Sequence, residues 1–169
     1  MTDKLLLVTG ATGKVGSAFI RTLLGDARFG DFRVRALCHS RALDSGDRLE
    51  VVRGSIEDRE VAGRAVAGVT HVLHLATSKE TPESVMDVAV KGLFWLLEAC
   101  RASPSFAQFI LIGGDAGMGH FFYPHPVPVV ETQRHSAYPG CYALSKVLEE
   151  VMLEQYVICL LYTSDAADE

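Results

Sequence analysis

Short apolar runs alternate with amphipathic stretches along the chain, and glycine or proline punctuates most of the junctions. Residues 4–9 form an apolar run that ends in a glycine-rich turn. From residue 14 to 24, Val15, Phe19, Ile20, Leu23 and Leu24 fall toward one side at helical spacing, and Gly25 is a natural stop. Phe32–Cys38 alternates Val34, Ala36 and Cys38 against Arg33, Arg35 and Leu37, the period of a strand, and Leu49–Arg53 is a third short strand. Residues 56–67 predict a short helix closed by Gly68, followed by a strand over 70–76. Thr81-Pro82-Glu83 is a helix start, with a capping threonine, proline in the first position and an acid in the first turn. That helix is expected to run through Met86, Val90, Leu93, Phe94, Leu97 and Ala99 to about Arg101. A fifth strand over 107–112, a Gly/Pro/His/aromatic loop over 113–140 and a last helix over roughly 141–156 complete the pattern. Alternation of this kind predicts an α/β fold, a doubly wound parallel sheet with strand order 3-2-1-4-5 and helices on both faces. The sheet is expected to stop after about five strands.

Composition narrows the function classes. The 169 residues are 49% hydrophobic, enough for one domain with a core, and the mean hydropathy is +0.19. A formal charge of −5 gives no basic surface for nucleic acid. No apolar run approaches the roughly 18–20 residues that span a bilayer, and the N-terminal run is too short for a signal-peptide core. A cytoplasmic protein without membrane or nucleic-acid partners is expected. The four cysteines, Cys38, Cys100, Cys141 and Cys159, lack CxxC spacing and read as buried free thiols. His120, His125 and His135 share one loop but show no ligand-pair spacing, so no metal site is expected.

The last eleven residues, from Cys159 to Glu169, read like translated transposase-adapter DNA. The expectation is therefore a dinucleotide-binding domain over 1–158, incomplete at its C-terminal side, with a non-native tail over 159–169. Residues 156–158 should lead out of the last helix, and 163–169 should be poorly packed or frayed.

Candidate chemistry begins after the first strand, at Thr9-Gly10-Ala11-Thr12-Gly13-Lys14-Val15-Gly16. Gly10 allows a tight turn, Gly13 lets the backbone approach a pyrophosphate, and Gly16 lets the helix pack on the strand. The helix N-terminus then offers N–H groups and a positive dipole end to phosphate, so Gly10, Thr12, Gly13, Lys14, Val15 and Gly16 are expected against a dinucleotide.

The TGxxGxxG spacing resembles the short-chain dehydrogenases, in particular their extended epimerase/dehydratase branch. Further segments carry the resemblance: Gly54-Ser55-Ile56 is similar to the segment bordering the adenine, with Ser55 where aspartate is usual. His74-Leu75-Ala76-Thr77 resembles the HLAA strand end beneath the cofactor. Val90-Lys91-Gly92 and Leu96-Leu97-Glu98-Ala99 resemble the NVxGT…LLEA helix, with Ala89 in place of Asn. The resemblance implies a Rossmann-type fold, an NAD(P) cofactor, and contacts to it from Ser55, Ile56, Leu75, Ala76 and Thr77.

The cofactor ribose should meet the end of the second strand, where an acid would bind the 2′-hydroxyl of NAD. The sequence there is Cys38-His39-Ser40-Arg41, with no acid before Asp44. Arg41, with His39 and Ser40, suits a 2′-phosphate, which favours NADP; the competing reading of Arg41 is a solvated loop charge.

Tyr142-Ala143-Leu144-Ser145-Lys146 opens the last helix, with Tyr142 and Lys146 on one face. A phenol is a poor base near neutrality unless a cation favours its ionised form, and Lys146 supplies one. The pair matches the family's YxxxK, which implies that Tyr142 exchanges a proton with substrate and Lys146 also holds the nicotinamide ribose. The Ser or Thr that the family places after the fifth strand falls at Gly114. Thr77 or Ser78 offers a substitute hydroxyl, and Asp115 either serves as an acid or caps a turn. Two functions follow as expectations. One is an NAD(P)-dependent oxidoreductase or epimerase/dehydratase acting on a hydroxyl or carbonyl of a nucleotide sugar or other small substrate. The other is a non-catalytic NAD(P)-binding sensor or regulatory module. The resemblance also implies a homodimer of the full-length protein through the helices around 90–100 and Tyr142, with Phe94, Trp95, Leu148 and Met152 at the contact. The 169-residue chain itself is expected to lack turnover.

Overall fold

The computed structural model describes residues 4–78 and 80–165, with side chains described through Ile158. Strands β1 (Lys4–Val8), β2 (Phe32–Cys38), β3 (Leu49–Arg53), β4 (His71–His74) and β5 (Gln108–Leu111) form one parallel sheet in the order β3-β2-β1-β4-β5. This is the predicted topology. The helices are α1 (Lys14–Gly25), α2 (Arg59–Val66), α3 (Pro82–Val85), α4 (Gly92–Arg101) and α5 (Cys141–Asp165). The chain divides into two units. One runs through Thr77 and adds Gly92–Ile112; the other comprises Ser78–Lys91 and the chain from Gly113 onward.

The first unit holds the whole sheet. Leu6, Val8, Val34, Ala36, Cys38 and Leu73 bury against Ile20 and Leu23 of α1. Alternation turns Leu7, Leu37 and Val72 to the opposite face, and they are buried too, so the central strands are covered on both sides. This is why β1 reads as an unbroken apolar run. On α2 and α4, which pack together, Val61, Ala65, Val66, Leu93, Leu96 and Leu97 are buried. Gly92 lets that packing close: a Cβ there would lie 2.8 Å from Ile56 Cγ2. The edge strand β5 is half-exposed, and Ile110 is 40% accessible.

Strands β1, β4 and β5 are each one to three residues shorter than the sequence predicts, and four other features differ from it. Helix α2 begins at Arg59 rather than residue 56, because Asp58 caps it by accepting from the N–H groups of Glu60 and Val61 at 2.8 and 3.4 Å. Residues 55–58 instead form a turn closed by the Asp58 N–H donating to the Ser55 carbonyl. Val15 is not on the buried side of α1 but 66% exposed, since it sits in the first turn, ahead of the sheet's cover. The expected single helix over 81–101 is interrupted by a π-helical turn, Met86–Lys91, and Thr81 forms no side-chain cap. Finally, α5 does not end near Tyr156. It continues to Asp165, since neither glycine nor proline follows Gly140 to stop it. The expected poor packing of 163–169 concerns side chains outside the described residues.

In the second unit, α5 packs against the π-helical turn and against a 3-10 turn at Asp115–Gly117. The loop between that turn and α5 carries exposed aromatics: Phe121 is 78% and Phe122 61% accessible. Among the described residues, no helix is long and apolar enough to cross a membrane.

Candidate functional site

The turn after β1 is built by close backbone approach. Gly10 has φ +63°, and a Cβ there would lie 2.7 Å from the backbone of Leu75. At Gly16 a Cβ would lie 2.5 Å from the Gly10 carbonyl oxygen, so helix and turn meet without room for a methyl group. Gly13 differs: its φ is −73°, and a Cβ would meet only the Gly10 oxygen, at 3.1 Å. Apart from its chain neighbours and the helix's own backbone, no second atom of the described residues lies within 4 Å of that Cβ. Gly13 is also the N-cap of α1 and gives no side-chain cap, so the first-turn N–H groups are left for another acceptor. An open cradle beneath uncapped donors fits a pyrophosphate.

Thr9, buried at 0% exposure, locks this turn to the end of β4. Its Oγ1 accepts from the N–H groups of Leu75 and Ala76, both at 3.1 Å, and lies 3.0 Å from His74 Nδ1. With both lone pairs used, the hydroxyl donates to Nδ1, which assigns the histidine proton to Nε2. Leu75 and Ala76 are thereby held over Gly10. The Thr9→Val variant keeps the shape and leaves three polar groups unanswered, so it is expected to lose about 2–3 kcal/mol of stability in urea denaturation. A loss below about 0.5 kcal/mol would contradict the lock.

The remaining cofactor candidates of this unit lie at strand ends. His39, Ser40 and Arg41 follow β2 and are exposed, with no carboxylate among them. Ser55 follows β3, half-buried, and its Oγ accepts from the Glu57 N–H at 3.5 Å. Ile56 is a core residue, 5% exposed. Thr77 is exposed.

In the second unit α5 presents Tyr142 and Lys146 one turn apart, with Lys146 Nζ 5.6 Å from the Tyr142 ring centroid. Lys146 is 4% exposed, and its ammonium donates to Glu149 Oε2 at 2.7 Å. Glu149 is fully buried, and burial pushes its carboxyl above the ordinary range while Lys146 pulls the other way. Gly114 faces the same pair. A Cβ there would lie 3.5 Å from Lys146 Cγ and 3.8 Å from the Tyr142 hydroxyl oxygen. The position read from sequence as lacking a hydroxyl is therefore next to the phenol.

Around it, Asp115 is exposed and lies 3.5 Å from His120 Nδ1, while Ser78 donates its hydroxyl to Ser84 Oγ at 2.7 Å. Glu80 answers the N-terminus of α5: its carboxylate accepts from Cys141 Sγ at 3.0 Å and from the Tyr142 N–H at 3.2 Å. The Cys141 thiol foremost, with the Tyr142 N–H, holds the Glu80 carboxyl below its ordinary range; the same bond pushes the Cys141 thiol up. Cys38 and Cys100 are the expected buried thiols, with Cys100 pushed up to about 12 by burial, whereas Cys141 is only half-buried.

Each unit thus gathers its own half of the predicted residues: Gly10, Gly13 and Gly16 with Leu75 and Ala76 in one, Tyr142 and Lys146 with Gly114 in the other. Sequence reasoning missed Thr9, Glu80 and Glu149. Thr9 stood inside the quoted motif, and Glu149 stood one helical turn after Lys146, so both were in view as spacing.

Comparison with known proteins places the chain in a family. The model of the NAD dependent epimerase/dehydratase family matches residues 6–158. A dTDP-glucose 4,6-dehydratase of Streptomyces griseus is 38% identical over 128 residues, covering 68% of this chain and 39% of that protein. UDP-glucuronate 4-epimerase 1 of Arabidopsis thaliana is 29% identical over 167 residues, covering 89% of this chain and 38% of its own length. The chain spans less than half the length of these relatives. Among solved structures, a uronate dehydrogenase variant of Agrobacterium tumefaciens complexed with NAD is 26% identical at a TM-score of 0.77, covering 90% of this chain and 56% of that one. These neighbours are Rossmann-type NAD-binding enzymes, and the chain belongs to the NAD dependent epimerase/dehydratase family of the extended short-chain dehydrogenases.

Proposed function

We propose that the protein is an NAD(P)-dependent enzyme that oxidises, reduces or epimerises at a hydroxyl or carbonyl of a nucleotide sugar or similar small substrate. The observation that carries this is the pairing of Tyr142 with Lys146 beside position 114, in a chain that also bears the open Gly13 cradle. When bound, the dinucleotide supplies hydride transfer. The uncapped first turn of α1 would bind its pyrophosphate, Leu75, Ala76 and Thr77 would border it, and Ser55 and Ile56 would stand at its adenine end. Tyr142 moves a proton between its phenol oxygen and the substrate oxygen, and Lys146 offsets the charge that the phenolate carries. Asp115, next to Gly114, is the candidate to take over the orientation that a serine hydroxyl would give. Relatives that act on dTDP-glucose and UDP-glucuronate support the substrate class.

One observation favours a second reading. Gly114 offers no hydroxyl, as expected of a binding module that retains the fold without turnover. A panel of nucleotide sugars assayed with the full-length protein separates the two: NADH binding without turnover of any of them would leave the binding module.

Because the sequence after β2 offers Arg41 and no acid before Asp44, the proposed cofactor preference is NADP at least equal to NAD. Calorimetric titration of both into wild type and Arg41→Ala reads this. The substitution should lower the NADP/NAD affinity ratio about tenfold, the worth of one charge-assisted phosphate contact. An unchanged ratio would make Arg41 an ordinary surface charge. The full-length protein is further proposed to be a homodimer, with Phe94, 38% exposed, among its contact residues; sedimentation showing only monomer at micromolar concentration would contradict that.

A further inference from the structure

We propose that Glu149 is a positioning residue for the Tyr142–Lys146 pair: its carboxylate fixes Lys146 Nζ and balances its charge inside the protein. The inference rests on Tyr142 and Lys146 being the reacting pair and adds a third residue to them. Lys146 is 4% exposed and Glu149 is 0% exposed, with 2.7 Å between Nζ and Oε2. An ammonium in such surroundings has little water to solvate it, and an anionic partner is what makes its charge tolerable there. Three residues apart on one helix, the two share a face with Tyr142 a turn earlier. Nζ is therefore held by the carboxylate while it stands 5.6 Å from the Tyr142 ring centroid.

A second observation argues that this carboxylate is kept for more than packing. Its other oxygen, Oε1, is buried without a hydrogen-bond partner among the described residues, and an unanswered buried acceptor works against stability. Burial also pushes the Glu149 carboxyl above its ordinary range, with Lys146 opposing and the negative charge of Glu150 adding to the rise. Among the described residues, the other ionisable groups on the elements packed against α5, and Glu150 on α5 itself, are paired or exposed. Lys91 lies 3.5 Å from Asp87, Asp115 lies 3.5 Å from His120, and Glu150 lies 2.7 Å from His135. Glu80 caps α5 at Cys141 and Tyr142, and Glu83 is exposed. Glu149 is the carboxylate in contact with Lys146.

Acylation of lysine amines, read residue by residue by mass spectrometry, tests this on the 169-residue chain without cofactor. In wild type, Lys146 should react at least about tenfold more slowly than the exposed Lys14 and Lys91. Glu149→Gln keeps the shape and removes the charge. It should bring Lys146 to within about threefold of those lysines, leave amide exchange of the sheet unchanged, and weaken NADH binding at least about fivefold. Persistent protection of Lys146 in that variant overturns the proposal, and so does its release with NADH affinity unchanged. If Glu149→Gln unfolds, the Lys146→Met, Glu149→Leu double variant decides: two charges that answer each other can be removed together, so it should fold, and failure to fold overturns the proposal. Absence of NADH binding by wild type would sink the dinucleotide reading instead, and the labelling result alone would then decide Glu149.

Discussion

Exchanging Gly114 for serine is expected to raise turnover of the full-length protein about tenfold, and exchanging Tyr142 for phenylalanine to lower it by roughly 10²–10⁴. The two changes act on one spot. Gly114 has φ −158° and ψ 145°, an extended conformation open to any residue. Its Cβ would stand at ordinary contact distance, 3.5 and 3.6 Å, from Lys146 Cγ and Cδ, and 3.8 Å from the Tyr142 oxygen. A serine hydroxyl there reaches the phenol, or the substrate oxygen that the phenol serves, without displacing the backbone. One hydrogen bond strengthened in the transition state is worth about 1.4 kcal/mol, which is the tenfold gain. Tyr142→Phe removes the oxygen proposed to carry the proton and leaves the ring beside Lys146, so the melting temperature and NADH affinity should hold while kcat falls. Steady-state kinetics of wild type and the two variants checks this. A Gly114→Ser protein slower than wild type would mean that the missing hydroxyl is supplied from elsewhere. Turnover unaffected by Tyr142→Phe would remove Tyr142 from the chemistry.

The sheet was legible because its strands obey simple periods. Phe32–Cys38 and Leu49–Arg53 have the predicted bounds, since polar or turn residues flank both. The glycine turn was legible for the same reason: each glycine answers a separate steric demand, at 2.7 Å for Gly10 and 2.5 Å for Gly16. The helix starts were harder. Asp58 was a stronger cap than the apolar Ile56 was a first turn, while Thr81 sat in an ideal cap sequence and makes no cap hydrogen bond. A π-helical turn such as Met86–Lys91 breaks the 3.6-residue period that the reading relied on, and buried Ala89 lies within it.

Interactions across large sequence separation left the least trace. Nothing in the sequence pairs Glu80 with the start of α5, 62 positions away from it at Tyr142, or Thr9 with the backbone of Ala76, 67 positions on. Position 114 shows the opposite case. Its missing hydroxyl was read from the final glycine of Ile110-Leu-Ile-Gly-Gly-Asp-Ala-Gly-Met-Gly119, and the geometry puts that residue beside Tyr142.

If the turn after β1 is a dinucleotide cradle, as proposed, its binding role separates from its folding role at Gly13. Gly10 and Gly16 are needed by the turn itself, since a methyl group on either would meet backbone at 2.7 and 2.5 Å. Gly13 has an ordinary φ of −73°, and a Cβ there meets one atom, the Gly10 oxygen at 3.1 Å, so alanine should fold at the cost of a shift of a few tenths of an ångström in that carbonyl. On the proposed reading the methyl group would crowd a pyrophosphate approaching the uncapped N–H groups of α1. NADH titration of wild type and Gly13→Ala, with their melting temperatures compared, is the most direct measurement. Wild type should bind NADH, and Gly13→Ala should bind it at least about tenfold more weakly while still unfolding in one cooperative transition, its melting temperature lowered by no more than a few degrees. Equal NADH affinity in the two proteins would show that no phosphate approaches Gly13 and would contradict the cradle.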